Sequence, residues 1–300
     1  MCGGDSLENC FYDGSEVCVY QLKDKHGIYK INEVENLKLA AAKGLLRCTD
    51  CGERVYLAAG PIKEPYFAHY DLEACSYQNS KESEELKKGK RLLYHMLLNS
   101  FQETQVHVRH RLPNGFYSTL YVEGLEYGDI AIEYRLQNLP IQEFIERDEF
   151  YMDNRILPIY ILGNRLNKTV KQISWYENQI QKSQGFVAYL DVSTEKLILK
   201  KCYDYMAKGK RQVHVCQGDY SVTEVKLNAN GEFLCNFQNE CNLIEEEIRK
   251  YEDKLPPGIL PEILETAREY IRTGNGHLVS QKYLDYIQST EEKMWRKLNE

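Results

Sequence analysis

Four side chains with soft donor atoms, Cys48, Cys51, His69 and Cys75, fall within 28 residues of one another. Two thiolates at Cys-x2-Cys spacing can grip one side of a zinc ion. An imidazole and a third thiolate, six residues apart, can close the tetrahedron from the other side. The set leaves no vacant position for water, so it predicts a structural zinc staple and not a catalytic metal. The intervening residues support that geometry. Val55-Tyr56-Leu57 alternates as a strand, Gly60-Pro61 turns, and Tyr66-Phe67-Ala68 returns to His69. The later thiols, Cys202, Cys216, Cys235 and Cys241, lack a Cys-x2-Cys pair, and even with His214 nearby they are expected to be core residues.

The chain of 300 residues is long enough to bury a substantial core, and its 43% apolar and 28% charged content is that of a globular protein. There is no basic-then-apolar leader and no apolar run long enough for a bilayer. Ten cysteines without such a leader argue for reduced thiols and metal ligands, which places the protein in the cytoplasm and away from membranes. The net charge of −7 is unhelpful for a nucleic-acid binder, but it is unevenly spread. Lys81 to Arg111 holds seven Lys/Arg against four Glu, and Lys196 to Arg211 holds six against one Asp. Glu123 to Asp153 holds nine acids and two arginines. Basic flanks around an acidic centre suit a metal-dependent nuclease and also suit an ordinary surface.

Periodicity supplies the elements. A strand over Val17–Tyr20 and a return strand over Ile28–Ile31 precede a short helix from Asn32 to Lys43. Leu86, Leu93, Met96, Leu97 and Phe101 mark a helix from Glu82 to Phe101, with Lys87, Lys88, Lys90 and Arg91 on its polar face. Strands follow at 106–112, 117–122 and 130–134, then a helix from Ile141 to about Asn154 behind Pro140, then a buried strand at 157–162. A helix crossing between two strands implies a parallel pair in an α/β sheet. A helix at 165–184, a small β module and three C-terminal helices, 243–254, 261–272 and 280–298, complete the chain.

The Cys-x2-Cys-Gly-x2-Val pattern, the later Phe-Ala-His and the following cysteine resemble the N-terminal zinc element of the competence protein CoiA family. That resemblance implies a nuclease-like core of the PD-(D/E)XK type directly after it, in the order helix, three strands, helix, strand. It implies two acids on adjacent strands for Mg²⁺ or Mn²⁺ and a polar or basic residue two positions after the second. Glu82-Ser83 and Lys90 match its helix motif, Ile132-Glu133-Tyr134 its second strand, and Arg147 and Tyr151 its next helix. Three positions depart: Leu86 stands for a histidine, Arg135 for a glutamine, and Thr119 for the first-strand aspartate. The catalytic candidates are therefore Glu133, Arg135, Lys90 and, as a relocated acid, Asp129. An extended strand would hold Asp129 about 13 Å from Glu133.

These readings predict an α/β core of the PD-(D/E)XK nuclease-like class, a zinc-binding β element before it, and a β-then-helical C-terminal part. The expected divisions are 1–78, 79–184, 185–241 and 242–300. The expected function is DNA binding, single-stranded DNA included, in uptake, recombination or defence, with catalysis weakened or lost. Lys87, Lys88, Arg91, Lys200, Lys201, Lys210 and Arg211 would contact phosphates, with tyrosines for stacking. The rivals are a working Mg²⁺- or Mn²⁺-dependent nuclease and a scaffold that binds a protein partner through its helical C-terminus.

Overall fold

The computed structural model describes residues 7–24, 27–60, 64–70, 75, 82–168 and 173–290. The chain forms two compact units. The first takes residues 1–168, 187–198 and 219–235, and the second takes 169–186, 199–218 and 236–300, so that residues 185–241 contribute to both.

In the first unit, β1 (Asn9–Tyr12) and β2 (Ser15–Cys18) form a hairpin around Asp13-Gly14, both at positive φ. That two-residue loop matches the twist of the flanking strands. The expected strand Val17–Tyr20 thus ends at Cys18 and its partner lies before it, not at Ile28–Ile31, where a single bridge, Lys23↔Tyr29, is formed. After α1 (Ile31–Ala42), β3 (Arg47–Cys48) pairs with β1, placing Cys48 opposite Cys10. β4 (Val55–Ala58) and β5 (Tyr66–His69) form the expected hairpin. Leu22, Val34, Leu37, Leu46, Val55 and Phe67 close a core that also contains Cys48 and Cys75.

α2 (Glu84–Leu98) is capped by Ser83, whose hydroxyl accepts from the amide of Leu86. β6 (Val106–Arg111), β7 (Tyr117–Val122) and β8 (Asp129–Arg135) are antiparallel. α3 (Ile141–Asp153) then crosses to β9 (Ile156–Gly163), which runs parallel to β8, and β10 (Val187–Asp191) is parallel to β9. This is the order of elements expected from periodicity. Within this unit the sheet runs β12-β11-β10-β9-β8-β7-β6, with β11 (Lys196–Ala207) and β12 (Lys210–Ser221) contributing only the ends that belong to it. A short pair, β13 (Lys226–Leu227) and β14 (Phe233–Leu234), completes the unit.

The two faces of β8 alternate. Tyr134 turns toward α2, where Gly89 lets the helix approach its ring: a Cβ there would lie 2.1 Å from the ring. Ala131 and Glu133 turn the other way, toward Tyr151 of α3. Phe144 of the same helix packs on Tyr160 at 5.0 Å.

The second unit holds the remainder of the β11–β12 hairpin with α4 (Trp175–Gln184), α5 (Phe237–Tyr251), α6 (Pro261–Arg272) and α7 (Gln281–Thr290). α4 starts later than the expected 165 because Ser174 and Glu177 form a capping box, and it stops at Gly185 in the left-handed conformation. In place of a separate small β module, β11 and β12 form two long strands. No described helix is long and apolar enough to cross a membrane.

Gly89→Ala tests the close approach. Helix propensity alone would make alanine favourable by about 1 kcal/mol, but the clash with Tyr134 outweighs it, and a net loss of about 1–3 kcal/mol is expected in denaturant unfolding. A stabilised variant would show that α2 stands off the sheet. A second prediction concerns His110, which stacks on Tyr121 at 4.3 Å. Burial holds its imidazole below the usual value, so the folded chain keeps it neutral while the unfolded chain binds a proton as pH falls through the usual histidine value. Stability should fall from pH 7.5 to 5.5, and His110→Phe should shrink that fall. An equal fall in the variant would assign the pH dependence to other groups.

Candidate metal centre and acidic site

The end of β3 supplies Cys48, and a tight turn over the next four residues supplies Cys51. The Gly52 amide donates to the Cys48 carbonyl at 3.0 Å and the Asp50 amide to Cys48 Sγ at 3.4 Å. The end of β5 supplies His69, and Cys75 closes the group. The donor atoms of Cys48, Cys51, His69 and Cys75 all lie within 4.8 Å of one another. Cys48 Sγ is 3.9 Å from Cys75 Sγ, and Cys51 Sγ is 3.3 Å from His69 Nε2. The edges of a tetrahedron built on Zn–S bonds are about 3.8 Å, so three thiolates and an imidazole already stand at zinc spacing. Cys48, Cys75 and His69 are buried. The residues fit zinc, and the donor set is closed, as a structural site requires. Among the described residues this is the one group of three or more such side chains able to share an ion.

The second site lies on the α3 face of β8. Glu133 is fully buried. Its carboxylate accepts from the Tyr151 hydroxyl, from Arg135 Nη2 and, at 3.3 Å, from Arg147 Nη1. Arg147 also donates through Nε to Glu143 at 3.0 Å and through Nη1 to the Tyr117 carbonyl at 3.4 Å, and its guanidinium lies 4.4 Å over the Phe116 ring. Burial and the adjacent Glu133 push the Tyr151 hydroxyl far above its ordinary value, so it serves only as a donor. Glu133, with Glu143 beside it, holds Arg147 protonated against the opposing effect of burial. A buried carboxylate without such partners would be costly.

Thr119 stands opposite Glu133 if the register Leu120↔Ile132 is carried one pair further. Its hydroxyl accepts from the Tyr134 amide at 3.1 Å and donates to the Tyr134 carbonyl at 3.4 Å. It therefore mends the strand ladder where the main-chain pairing stops. The structure thus gathers Glu133, Arg135, Arg147, Tyr151 and Thr119 into one place.

The other expected catalytic residues lie elsewhere. Asp129 accepts from the Tyr121 hydroxyl at 2.7 Å and the Gly124 amide at 2.9 Å at the start of β8, and it shares neither partner with Glu133. Lys90 is buried on α2, across the sheet, between Glu8 at 2.6 Å and Glu82 at 2.5 Å, which keep it charged. It has no surface from which to meet a substrate. Glu8 lies 82 residues earlier in the chain, and nothing in the helix pattern points to it.

The expected phosphate contacts also divide. On α2, Lys87 pairs with Glu84 at 3.5 Å, Lys88 with Glu195 at 3.1 Å, and Arg91 with Glu64, all at the surface. Lys201 pairs with Glu245 at 2.8 Å, and Arg211 grips Asp204 through two nitrogens. Lys210 is exposed. Lys200 corrects the sequence reading: it is fully buried in β11, where burial lowers its pKa, and it presents no exposed side chain to a phosphate. Sequence reasoning also passed over Asp50, whose carboxylate accepts from the Tyr117 hydroxyl and from Arg109 Nη1, each at 2.8 Å.

Residues 29–78 match the family model of the competence protein CoiA N-terminal domain, and residues 82–228 match that of the CoiA nuclease-like domain. No curated protein and no solved structure matches the chain.

The metal centre shares its cysteines with the N-terminal core, so metal affinity is folding stability there. The purified protein should carry one zinc per chain by elemental analysis. A strong chelator or Cys51→Ser should lower the thermal midpoint and raise proteolysis within residues 7–70. A metal-free preparation with an unchanged midpoint would remove the staple from the fold's stability.

Proposed function

The chain belongs to the competence protein CoiA family, and from that premise we propose that it uses a PD-(D/E)XK-type core to hold DNA, single-stranded DNA in particular, with metal-dependent cleavage weakened or lost. The observation that carries this reading is the state of Glu133. A divalent ion on such a site needs carboxylate oxygens open to it, and the Glu133 carboxylate is occupied by two guanidiniums and a phenol. The facing position is a threonine whose hydroxyl is spent on the main chain of Tyr134. The Arg135 guanidinium offers only N–H donors and no acceptor for a proton from water. It can face a phosphate, since its side chain is partly exposed. Binding would rest on Arg135 and on Lys87, Lys88 and Arg91 of α2, whose present partners are surface carboxylates. Such pairs are worth at most about 1 kcal/mol, so a phosphate can replace them at small cost. Lys201, Lys210 and Arg211 of the second unit are the further candidates.

The test combines cleavage and binding. With Mn²⁺, single- and double-stranded DNA should survive equally with the protein and with Glu133→Ala. Affinity for a single-stranded oligonucleotide should fall about 50-fold from 50 to 200 mM salt if four phosphates are contacted. Alanine at Lys87, Lys88 and Arg91 together should flatten that slope. Cleavage that disappears in Glu133→Ala would establish a working nuclease, and salt-independent or absent binding would refute the DNA reading.

A further inference from the structure

The Cys-x2-Cys turn points at the sheet. Asp50 lies between Cys48 and Cys51, its amide on Cys48 Sγ, and its side chain is nearly buried. One carboxylate oxygen receives the Tyr117 hydroxyl and the other receives Arg109. The Arg109 guanidinium also lies 4.0 Å over the Tyr117 ring. Arg109 has φ +53° in the middle of β6, a conformation that costs a non-glycine residue free energy and persists only where its surroundings impose it. Asp50 and Tyr117 are those surroundings. The carbonyl of the same Tyr117 receives Arg147, which pairs with Glu133, and the preceding residue, Phe116, provides the ring beneath Arg147. An unbroken series of contacts therefore leads from the metal-binding cysteines through Asp50 and Tyr117 to Arg147 and Glu133.

We propose that Asp50 is a positioning residue: through Tyr117 it sets Arg147 and Glu133, so that the state of the Cys48–Cys51–His69–Cys75 centre is transmitted to the acidic site. Cys48 and Cys51 fix the turn, the turn fixes the Asp50 carboxylate, and Asp50 holds the Tyr117 hydroxyl at the start of β7, where the Tyr117 carbonyl receives Arg147. The metal centre thus governs the acidic site as well as stapling the N-terminal core. The functional weight of this coupling rests on the reading that the Glu133 site holds DNA, whereas the coupling itself does not.

The test uses the full zinc-loaded chain, with Asp50→Ala and the milder Tyr117→Phe, which keeps ring and main chain but removes the hydroxyl. Zinc content by elemental analysis should remain one per chain in both. Hydrogen exchange at the amides of residues 116–120 and 147–151 should rise about tenfold in Asp50→Ala and less in Tyr117→Phe, with the amides of α1 unchanged. Stripping zinc should raise exchange at 116–120 in the native chain by much more than in Asp50→Ala, because the second loss acts through the first. Full zinc with unchanged exchange in both variants overturns the proposal, and so does an effect of zinc removal that simply adds to that of Asp50→Ala. Oligonucleotide affinity, measured alongside, should fall five- to tenfold in Asp50→Ala. If the native chain binds no oligonucleotide, the DNA reading fails while the exchange result still decides the coupling.

Discussion

A carboxylate with no exposed surface must be neutralised where it stands, and much of the first unit is arranged around that requirement at Glu133. Its position is fixed by the pairing Glu133↔Tyr160 in the parallel centre of the sheet. Arg147 and Tyr151, one turn apart on α3, reach it together only if the helix lies over β8 in one register. Arg135, two residues on in the same strand, closes the third side. The partners that stabilise the charge are also those that occupy the carboxylate oxygens, so one set of hydrogen bonds both neutralises the buried acid and fixes its position.

The N-terminal element solves a different problem. Five short strands and one helix enclose a modest core, and a core of that size gains little margin from apolar burial alone. Placing Cys48 and Cys75 inside the apolar cluster gives β3, β5 and Cys75 one closed donor set that could hold a zinc ion. Asp50 then joins this element to β6 and β7 within the same unit.

What could be read from the chain depended on how local the determinants are. The four candidate metal ligands lie within one short segment, and their spacing alone predicted the cluster that the fold brings together. The order helix, three strands, helix, strand followed from periodicity, whereas Glu133, Arg147 and Tyr151 were found through the resemblance to the CoiA family's strand and helix motifs. Lys90 was misplaced because its partner Glu8 is remote in sequence, and a helical face cannot distinguish a solvated lysine from one buried between acids. Lys200 was misplaced because two adjacent lysines on a strand point to opposite faces and only one can be outside. The β1–β2 hairpin was missed although Asp13-Gly14 is a strong turn signal, because Asn9-Cys10-Phe11-Tyr12 gives a poor alternation. Asp50 carried no signal beyond its position between two cysteines.

The chain passes from one compact unit to the other and back before it finishes, with 187–198 and 219–235 returning to the first unit. This bears on biosynthesis. The strands β10, β13 and β14 of the first unit leave the ribosome only after residues 169–186, and in part 199–218, of the second. At about 5–20 residues per second, the stretch from Gly163 to Asp191 takes roughly 1–6 seconds, during which the N-terminal element and the β6–β9 sheet stand with the β9 edge unpaired. For the same reason no single cut in the chain separates the two units, and neither can be produced alone as a continuous fragment.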